Sequence, residues 1–161
     1  MGSFLEDEPI WETLTNHQPA TFLMSKPIAP ATGIAFAFPD ICKTPTPGGP
    51  VPIPYPNIAQ LDQAQNVADQ LLIGPSSYKA LLVDSEVPTS SGDEAGSVGG
   101  VKSNGIMGSC KITQGSGSVV YGSGKKGIAR FGDTTDQNIV GGVANATGMV
   151  LSAFPTVLVG D

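Results

Sequence analysis

The stretch Gly122-Ser-Gly-Lys-Lys-Gly-Ile-Ala-Arg-Phe-Gly-Asp-Thr-Thr-Asp-Gln-Asn138 predicts what kind of fold this chain adopts. Its glycines are too frequent for a helix and are spaced like turns between short extended segments: Gly122, Gly124, Gly127 and Gly132. A chain uses glycine where φ must be positive or where two backbones come close. Ile128-Ala-Arg-Phe131 is predicted to form a short strand that ends at Gly132-Asp133-Thr134. The stretch therefore indicates short strands joined by tight turns.

The composition of the whole chain agrees with a mainly β domain. Its 161 residues are 40% hydrophobic, which is enough for the core of one domain. Charged residues make up only 14%, against about 25% in an average soluble domain. The 21 glycines and 14 prolines alternate with β-branched and aromatic residues. This mixture is typical of turns between many short strands, not of disorder.

Charge and hydropathy exclude several classes of function. The net charge of −6 lacks the basic surface that nucleic-acid binding requires. No apolar run reaches the roughly 18–20 residues of a membrane span. The amino terminus carries Glu6-Asp7-Glu8 where a signal peptide would be basic, so synthesis in the cytoplasm is expected.

The chain divides into an extension and a β domain. Residues 1–28 hold Trp11, the single histidine His17, and prolines at intervals too short for a long helix. We predict an extension over 1–28 that lies on the domain or on a partner, and a β domain over 29–161.

Strand signals begin after this extension. Thr32-Gly-Ile-Ala-Phe-Ala-Phe38 is rich in β-forming residues, and from Pro50 to Pro56 every second residue is proline. Because proline cannot donate to a sheet ladder, this run predicts a polyproline-like edge with its prolines on one side. Further short strands are predicted in residues 99–113, 118–121, 147–152 and 156–159.

Two interpretations compete for residues 57–83. Apolar residues at helical spacing, after Asn57 as a cap, favour a helix near 57–68. Gln70-Leu-Leu-Ile73 and Tyr78-Lys-Ala-Leu-Leu-Val83 flank a Gly-Pro-Ser-Ser turn and favour a hairpin. We predict a short helix followed by that hairpin.

There is also an internal echo. Ala31-Thr-Gly-Ile-Ala-Phe-Ala-Phe-Pro39 is matched by Ala146-Thr-Gly-Met-Val-Leu-Ser-Ala-Phe-Pro155. Such an echo suits a fold of repeated hairpins about a common axis.

Four motifs in order resemble the PAAR-like spike-tip family of contractile injection systems, which include type VI secretion and phage-tail-like particles. They are Phe38-Pro-Asp-Ile-Cys42, Ile53-Pro-Tyr-Pro-Asn-Ile-Ala59, Ser91-Gly-Asp-Glu-Ala-Gly96 and the opening stretch, where Ala129-Arg130 and Gly132-Asp133-Thr134 match the family core. The residues that carry the resemblance are Phe38, Pro39, Asp40, Cys42, Pro54, Tyr55, Pro56, Asn57, Gly92, Asp93, Glu94, Ala129, Arg130, Gly132 and Asp133.

The resemblance implies a small conical β domain of short hairpins, with Gly/Pro-rich turns and at most one or two short helices. It implies a place on the blunt end of a homotrimeric β-helical spike, one tip per trimer, with transient contact with the target envelope. Effectors or cargo are further candidate partners. The particle would be delivered or released on firing. Since the sequence ends at Asp161 directly after a predicted strand, no fused toxin domain is expected.

Zinc and catalysis are both disfavoured by the residues present. Well-known members of the wider PAAR family resemble zinc proteins with three His and one Cys, whereas this chain offers only Cys42, Cys110 and His17. The cysteines are expected to be buried thiols, with a disulfide between them as the alternative. One histidine in the extension cannot supply a Ser-His or Cys-His pair within the domain. Arg130 is expected to pair with Asp133 or a backbone carbonyl.

The sequence therefore predicts a non-enzymatic spike tip without a cofactor. The alternatives are an effector-loading adaptor that uses residues 1–28 as its arm, and a free-standing β binding module. The missing secretion signal and the 6% aromatic content weigh against the binding module.

Overall fold

The computed structural model describes residues 24–160, and the extension lies almost wholly outside the described residues. Within residues 24–160, the one helical segment is a 3-10 turn at Leu61–Gln63. The strands are β1 Lys26–Ile28, β2 Ile34–Thr44, β3 Val51–Gln60, β4 Ala68–Ile73, β5 Tyr78–Ala80, β6 Glu86–Val87, β7 Ser90–Ser91, β8 Gly99–Gly100, β9 Ser109–Ile112, β10 Val120–Tyr121, β11 Lys126–Gly127, β12 Thr134–Val140, β13 Val143–Val150 and β14 Phe154–Val159. The mainly β prediction is confirmed. Over residues 24–160, no helix has the length and hydropathy that crossing a membrane requires.

The main sheet runs in the order β6-β9-β12-β13-β2-β3-β7, with β8 paired to β2. Its pairings are antiparallel throughout. The two outermost strands, β6 and β7, are separated in sequence only by Pro88 and Thr89. Because the last strand follows the first so closely, the sheet curls back on itself and is nearly closed, like a barrel.

The proline-rich run forms an edge, as predicted. β3 pairs with β2 along its whole length, from Thr44↔Val51 to Ile34↔Gln60, and meets β7 only at Ile58 and Ala59. Pro52 and Pro54 therefore occupy ladder positions whose missing N–H groups face away from β2. Proline at such an edge prevents another strand from adding there.

The helix predicted near 57–68 is wrong. Residues 57–60 continue β3, because Ala59 pairs with β2 on one side and with β7 on the other. This cross-strand pairing overrides the helical spacing of the apolar residues. The hairpin that follows is confirmed as β4 and β5, joined by a turn at 74–77.

The short strand predicted at 128–131 is also wrong. Ile128 and Arg130 make only isolated bridges, to Leu82 and Ile28, and the strand proper, β12, begins at Thr134. The reason lies in the partners, since these residues join two different segments and not one continuous neighbour.

Three separate segments meet in a cyclic ring of backbone hydrogen bonds, which we call the backbone ring. The Ala29 N–H donates to the Ala129 carbonyl (3.0 Å), Ala129 donates to Leu81 (2.9 Å), and Leu81 donates to Ala29 (2.9 Å). A second cycle surrounds it: Ala31 donates to Lys79 (2.8 Å), Val83 to Gly127 (2.9 Å) and Phe131 to Pro27 (2.8 Å). Segments 27–31, 79–83 and 127–131 are thus related by an approximate threefold axis.

Each segment of the backbone ring is continuous with a two-stranded ribbon. The ribbons are β1–β14, β4–β5 and β10–β11, all antiparallel. One hydrophobic core lies among the ribbons and includes Ile28, Ala80 and Ile128. A second core, inside the main sheet, includes the ring residues Ala29, Leu81 and Ala129. The backbone ring is therefore the layer between a ribbon end and the barrel-like body.

The structure also locates the predicted extension and the internal echo. β1 covers residues 26–28 and pairs with β14, so regular structure begins inside the predicted extension. Residues 1–23 lie outside the described part of the chain, and their role stays a prediction. The two halves of the internal echo are neighbours, because β2 pairs with β13 from Ala37↔Gly148 to Ala35↔Val150.

Replacing Leu81 by alanine tests how much the side chain at this ring position contributes to the core of the body. Leu81 is fully buried, so Leu81→Ala is expected to lower the free energy of unfolding by about 2–5 kcal/mol. Leu72→Ala, on an exposed ribbon position, is the matched control and is expected to stay within about 0.5 kcal/mol of the parent. Urea unfolding would measure both. Equal losses in the two variants would contradict a structural role for the ring position.

Candidate docking end and buried polar centre

The ribbon end exposes large apolar side chains on every ribbon. Leu72 and Tyr78 are exposed on β4–β5, Val120 on β10–β11, and Val157 and Leu158 on β14. Scattered apolar residues are ordinary on protein surfaces. Here each of the three ribbons of the approximate threefold arrangement carries at least one, which makes this end a candidate docking surface.

Arg130 and Asp133 form a buried ion pair beside the backbone ring. The Arg130 Nε donates to Asp133 Oδ2 at 3.0 Å, its Nη2 donates to Oδ1 at 3.2 Å, and its backbone N–H donates to Oδ2 at 2.9 Å. Both side chains are at most 1% exposed. Lys26 adds a second cation, 3.0 Å from Asp133 Oδ1, and Arg130 also donates to the Gly115 carbonyl at 3.3 Å.

This pair confirms the partner expected for Arg130 from sequence. It ties the third ring segment to the start of β12, since Asp133 directly precedes Thr134. Bidentate contact between a guanidinium and a carboxylate fixes their relative orientation as well as their distance. Two further motif residues lie beside this pair. Ala129 belongs to the backbone ring, and Gly132 lies in the turn before Asp133 with a φ of +78°.

A second cluster, the polar centre, lies in the barrel-like body. It consists of six side chains that are buried within the fold: Asp40, Cys42, Asn57, Asp93, Asn138 and Asn145. They come from β2, β3, the segment after β7, β12 and β13. The centre therefore joins strands that are far apart along the chain.

Asparagine amides supply the hydrogen bonds of the two carboxylates. The Asn138 Nδ2 donates to Asp40 Oδ2 at 3.1 Å and to Asp93 Oδ2 at 2.8 Å, bridging the pair. The amide of Asn57 donates to Asp40 Oδ2 at 3.0 Å, and Asn145 donates to Asp40 Oδ1. Both oxygens of Asp93 also accept from the Met107 N–H, at 3.2 and 3.1 Å. No buried polar side-chain atom of the described residues lacks a partner.

The electrostatics of the polar centre differ from those of the Arg130 pair. Within residues 24–160, neither Asp40 nor Asp93 has an ion-pair partner. Burial raises the pKa of Asp93; the Met107 hydrogen bond opposes this shift, and the charge of Asp40 adds to it. Burial, followed by the charges of Asp40 and Asp93, raises the pKa of the Cys42 thiol to about 12. Cys42 is therefore a neutral thiol, 3.7 and 3.8 Å from the two carboxylates.

Cys42 and Cys110 are both buried and free, so the expectation of two thiols is confirmed and no disulfide joins them. Cys110 lies in the hydrophobic core of the body, and burial raises its pKa to about 12 as well. Neither cysteine has the lowered pKa of a reactive thiol.

Within residues 24–160, the polar centre is where side chains of the kinds that ligate metals come close together. The Cys42 sulfur and one oxygen each from Asp40 and Asp93 lie within 4.8 Å of one another. Structural zinc usually takes four ligands that are mostly Cys and His, and here amide nitrogens already contact the carboxylate oxygens. His17 lies outside the described residues.

The structure brings most motif residues to one of these two places. Asp40, Cys42, Asn57 and Asp93 meet in the polar centre; Ala129, Arg130, Gly132 and Asp133 meet beside the backbone ring. The others lie elsewhere in the body. Pro54, Tyr55 and Pro56 belong to β3, and the Tyr55 hydroxyl lies 2.6 Å from that of Thr44. The Gly92 N–H donates to the Glu94 carboxylate, Phe38 is exposed, and the bond from Phe38 to Pro39 is a cis peptide.

Asn138 and Asn145 are central to the site and were not predicted. Each lies in a strand at a buried position, and each donates to at least one carboxylate. Their only sequence signal is an uncharged amide inside a β segment. Asparagine is more often exposed than buried, so the sequence alone does not indicate that these two side chains lie inside the body.

The pH dependence of stability tests the Asp93 environment. A carboxyl with a raised folded-state pKa contributes stability below its unfolded pKa of about 3.9, and that contribution is lost as the pH rises towards the folded pKa. Asp93→Asn should remove this loss, so its free energy of unfolding should fall less than that of the parent as pH rises from about 4 to neutrality. The matched control is Asp62→Asn, on an exposed carboxylate that does not act on Asp93. Parallel pH curves for parent and Asp93→Asn would contradict the prediction.

Elemental analysis tests whether the polar centre holds a metal. We expect no stoichiometric zinc in the purified protein, because the single thiol is held neutral and its carboxylate neighbours are bonded to amides. The contradicting result is equimolar zinc that is lost in Cys42→Ser and retained in Cys110→Ser, the control at the other buried cysteine.

Comparison with known proteins agrees with the geometry. A family model described as the Toxin PAAR-like domain matches residues 33–145, which covers both the polar centre and the third segment of the backbone ring. Searches of curated proteins and of solved structures found no match. Since the family model spans more than half of the chain, this protein belongs to the Toxin PAAR-like domain family.

Proposed function

We propose that this protein is a non-enzymatic tip that caps the homotrimeric β-helical spike of a contractile injection system. Family membership supports the coarser conclusion of a toxin- or spike-associated module. The observation that carries the finer proposal is the approximate threefold backbone ring and the three ribbons that extend from it.

Symmetry is the first support for this assignment. A single chain that caps a trimer must present three similar surfaces, because each spike subunit offers the same one. The ribbons β1–β14, β4–β5 and β10–β11 are three such surfaces in one chain. Their bridges connect them pairwise: Pro30↔Ala80, Leu82↔Ile128 and Ile28↔Arg130.

The chemistry of the ribbon end is the second support. Each ribbon exposes at least one large apolar side chain, among them Leu72, Val120 and Leu158. The ribbon end thus combines exposed apolar side chains with strands that have one unpaired edge. Such a surface is suited to binding the end of a β-helix, because burial of apolar area and backbone pairing can stabilise the same contact.

The absence of a recognisable catalytic arrangement fits a structural role. Within residues 24–160 there is no histidine, and both cysteines are neutral, buried thiols. The strongest ionisable cluster, the polar centre, is closed to solvent and hydrogen-bonded throughout. We infer that it holds strands together and does no chemistry on a substrate. Such a tip would be made in the cytoplasm, assembled into the particle and released on firing.

Binding to the cognate spike trimer tests the proposal. Native mass spectrometry of the mixture should show one tip per trimer. Leu158→Lys, Leu72→Lys and Val120→Lys should each weaken binding roughly tenfold, because each buries a charge in one of three equivalent contacts. The matched control, Val101→Lys, changes an exposed valine outside the ribbons and should bind like the parent. No association, or a stoichiometry other than one tip per trimer, would count against the function.

An effector-loading adaptor is the second candidate, with residues 1–28 as the partner-binding arm. The structure sharpens its test, since residues 26–28 belong to β1 and the backbone ring borders them. A deletion variant that removes the arm should therefore end at residue 23, so that β1 is kept. Loss of effector binding with spike binding intact would favour an added adaptor role, whereas unchanged binding of both partners would exclude residues 1–23 as the arm.

A further inference from the structure

The outer side of the main sheet carries a group of apolar side chains. On β2, β3 and β13, Ala35, Ala59 and Val150 point into the core of the body, so the residues that alternate with them point outwards. We call six of these outward residues the apolar face: Ile34, Phe36, Phe38, Ile58, Met149 and Leu151. Phe38 is 59% exposed, Met149 48% and Leu151 40%, and the other three are half-buried.

Strand pairing makes these side chains neighbours. Phe36 lies between Met149 of β13 and Ile58 of β3 and pairs directly with both. The Leu151 N–H donates to the Ile34 carbonyl at 3.0 Å. Directly paired residues stand on the same side of a sheet, with their Cβ atoms about 5 Å apart. The apolar face is therefore one surface that crosses three strands.

The border of the apolar face is uncharged. The residues that pair with it at its edges are Thr134, Gln60 and Ser91. A contiguous apolar patch on a soluble protein generally marks a contact surface. With no charge at these positions, the face suits a partner that contributes apolar side chains.

The described part of the chain begins beside the apolar face. Lys26 Nζ lies 3.0 Å from Asp133 Oδ1. The Asp133 carbonyl accepts from the Val150 N–H at 2.9 Å, and Val150 stands between Met149 and Leu151 in the sequence. Residues 1–23 therefore join the described structure at the β13 side of this face.

The length and composition of residues 1–23 suit the apolar face. A chain of this length spans up to about 75 Å when extended, whereas three neighbouring strands are only about 10 Å wide. The large apolar residues of the segment include Phe4, Leu5, Ile10, Trp11 and Leu14. Because the segment belongs to the same chain, its effective concentration at the face is high.

We propose that residues 1–23 bind the apolar face of their own domain and bury Trp11 there. The extension then has a partner within the same chain, at a surface that includes no ribbon residue. An effector that used the extension would have to displace it from the face. This binding does not depend on the spike and is measurable on the full chain alone.

The fluorescence of Trp11 tests this proposal, because the chain has no other tryptophan. In the native protein the emission should be shifted to the blue relative to the protein in urea, and acrylamide should quench it less. Phe38→Asp with Met149→Asp should shift the emission back towards that of the unfolded protein and restore quenching, because a charge in an apolar contact is unfavourable.

Leu72→Asp with Val101→Asp is the matched control, since these residues are 56% and 50% exposed and lie outside the apolar face. This pair should keep the emission of the parent. Unchanged thermal midpoints would show that the variants are folded, and Phe38→Ser with Met149→Ser would replace an aspartate pair that is not. The proposal is overturned if Trp11 of the parent emits as it does in urea, or if the apolar-face pair leaves the emission unchanged. It is also overturned if both pairs shift the emission alike, or if the blue shift depends on protein concentration, which would assign the face to a second copy of the chain.

Discussion

The three hydrogen bonds of the backbone ring are the constraint on which the fold depends. They require the chain to return to one axis three times, at Ala29, Leu81 and Ala129. Each ring residue donates through its N–H and accepts through its carbonyl, so a segment cannot shift without breaking two hydrogen bonds at once. Alternation along each segment then sends Ile28, Ala80 and Ile128 into the ribbon core and the ring residues into the body core.

Buried carboxylates are stabilised in two different ways in this fold. Asp133 is paired with Arg130 and Lys26, so its charge is balanced locally. Asp40 and Asp93 receive amide dipoles from Asn57, Asn138 and Asn145 instead. Dipoles compensate less of the desolvation cost than a cation does, which is why the pKa of Asp93 is raised. The polar centre thus gives up some stability for a directional network that connects five segments of the body.

Sequence alone predicted those features that depend on local chemistry. The alternating prolines indicated the β3 edge because a proline lacks a donor wherever it lies. Arg130 and Asp133, three residues apart, are close enough for their pairing to follow from the turn between them. Other features depend on partners that are far away in sequence. Ala59 lies in a strand and not in the predicted helix because it pairs with β2 and β7. The backbone ring and the roles of Asn138 and Asn145 depend on distant partners in the same way. No local pattern in the sequence specifies such partners.

The backbone ring is also where threefold symmetry ends. The ring positions are alike, yet the next residues of the three segments are Pro30, Leu82 and Arg130, which share neither size nor charge. Beyond them, the first segment leads into β2, the second into the turn before β6, and the third through Asp133 into β12. A single chain can therefore present three similar ribbons and still close into one asymmetric, tightly bonded body. The Arg130–Asp133 pair stands at this transition, which gives a structural reason for the Ala129-Arg130 sequence within the residues that the family model matches.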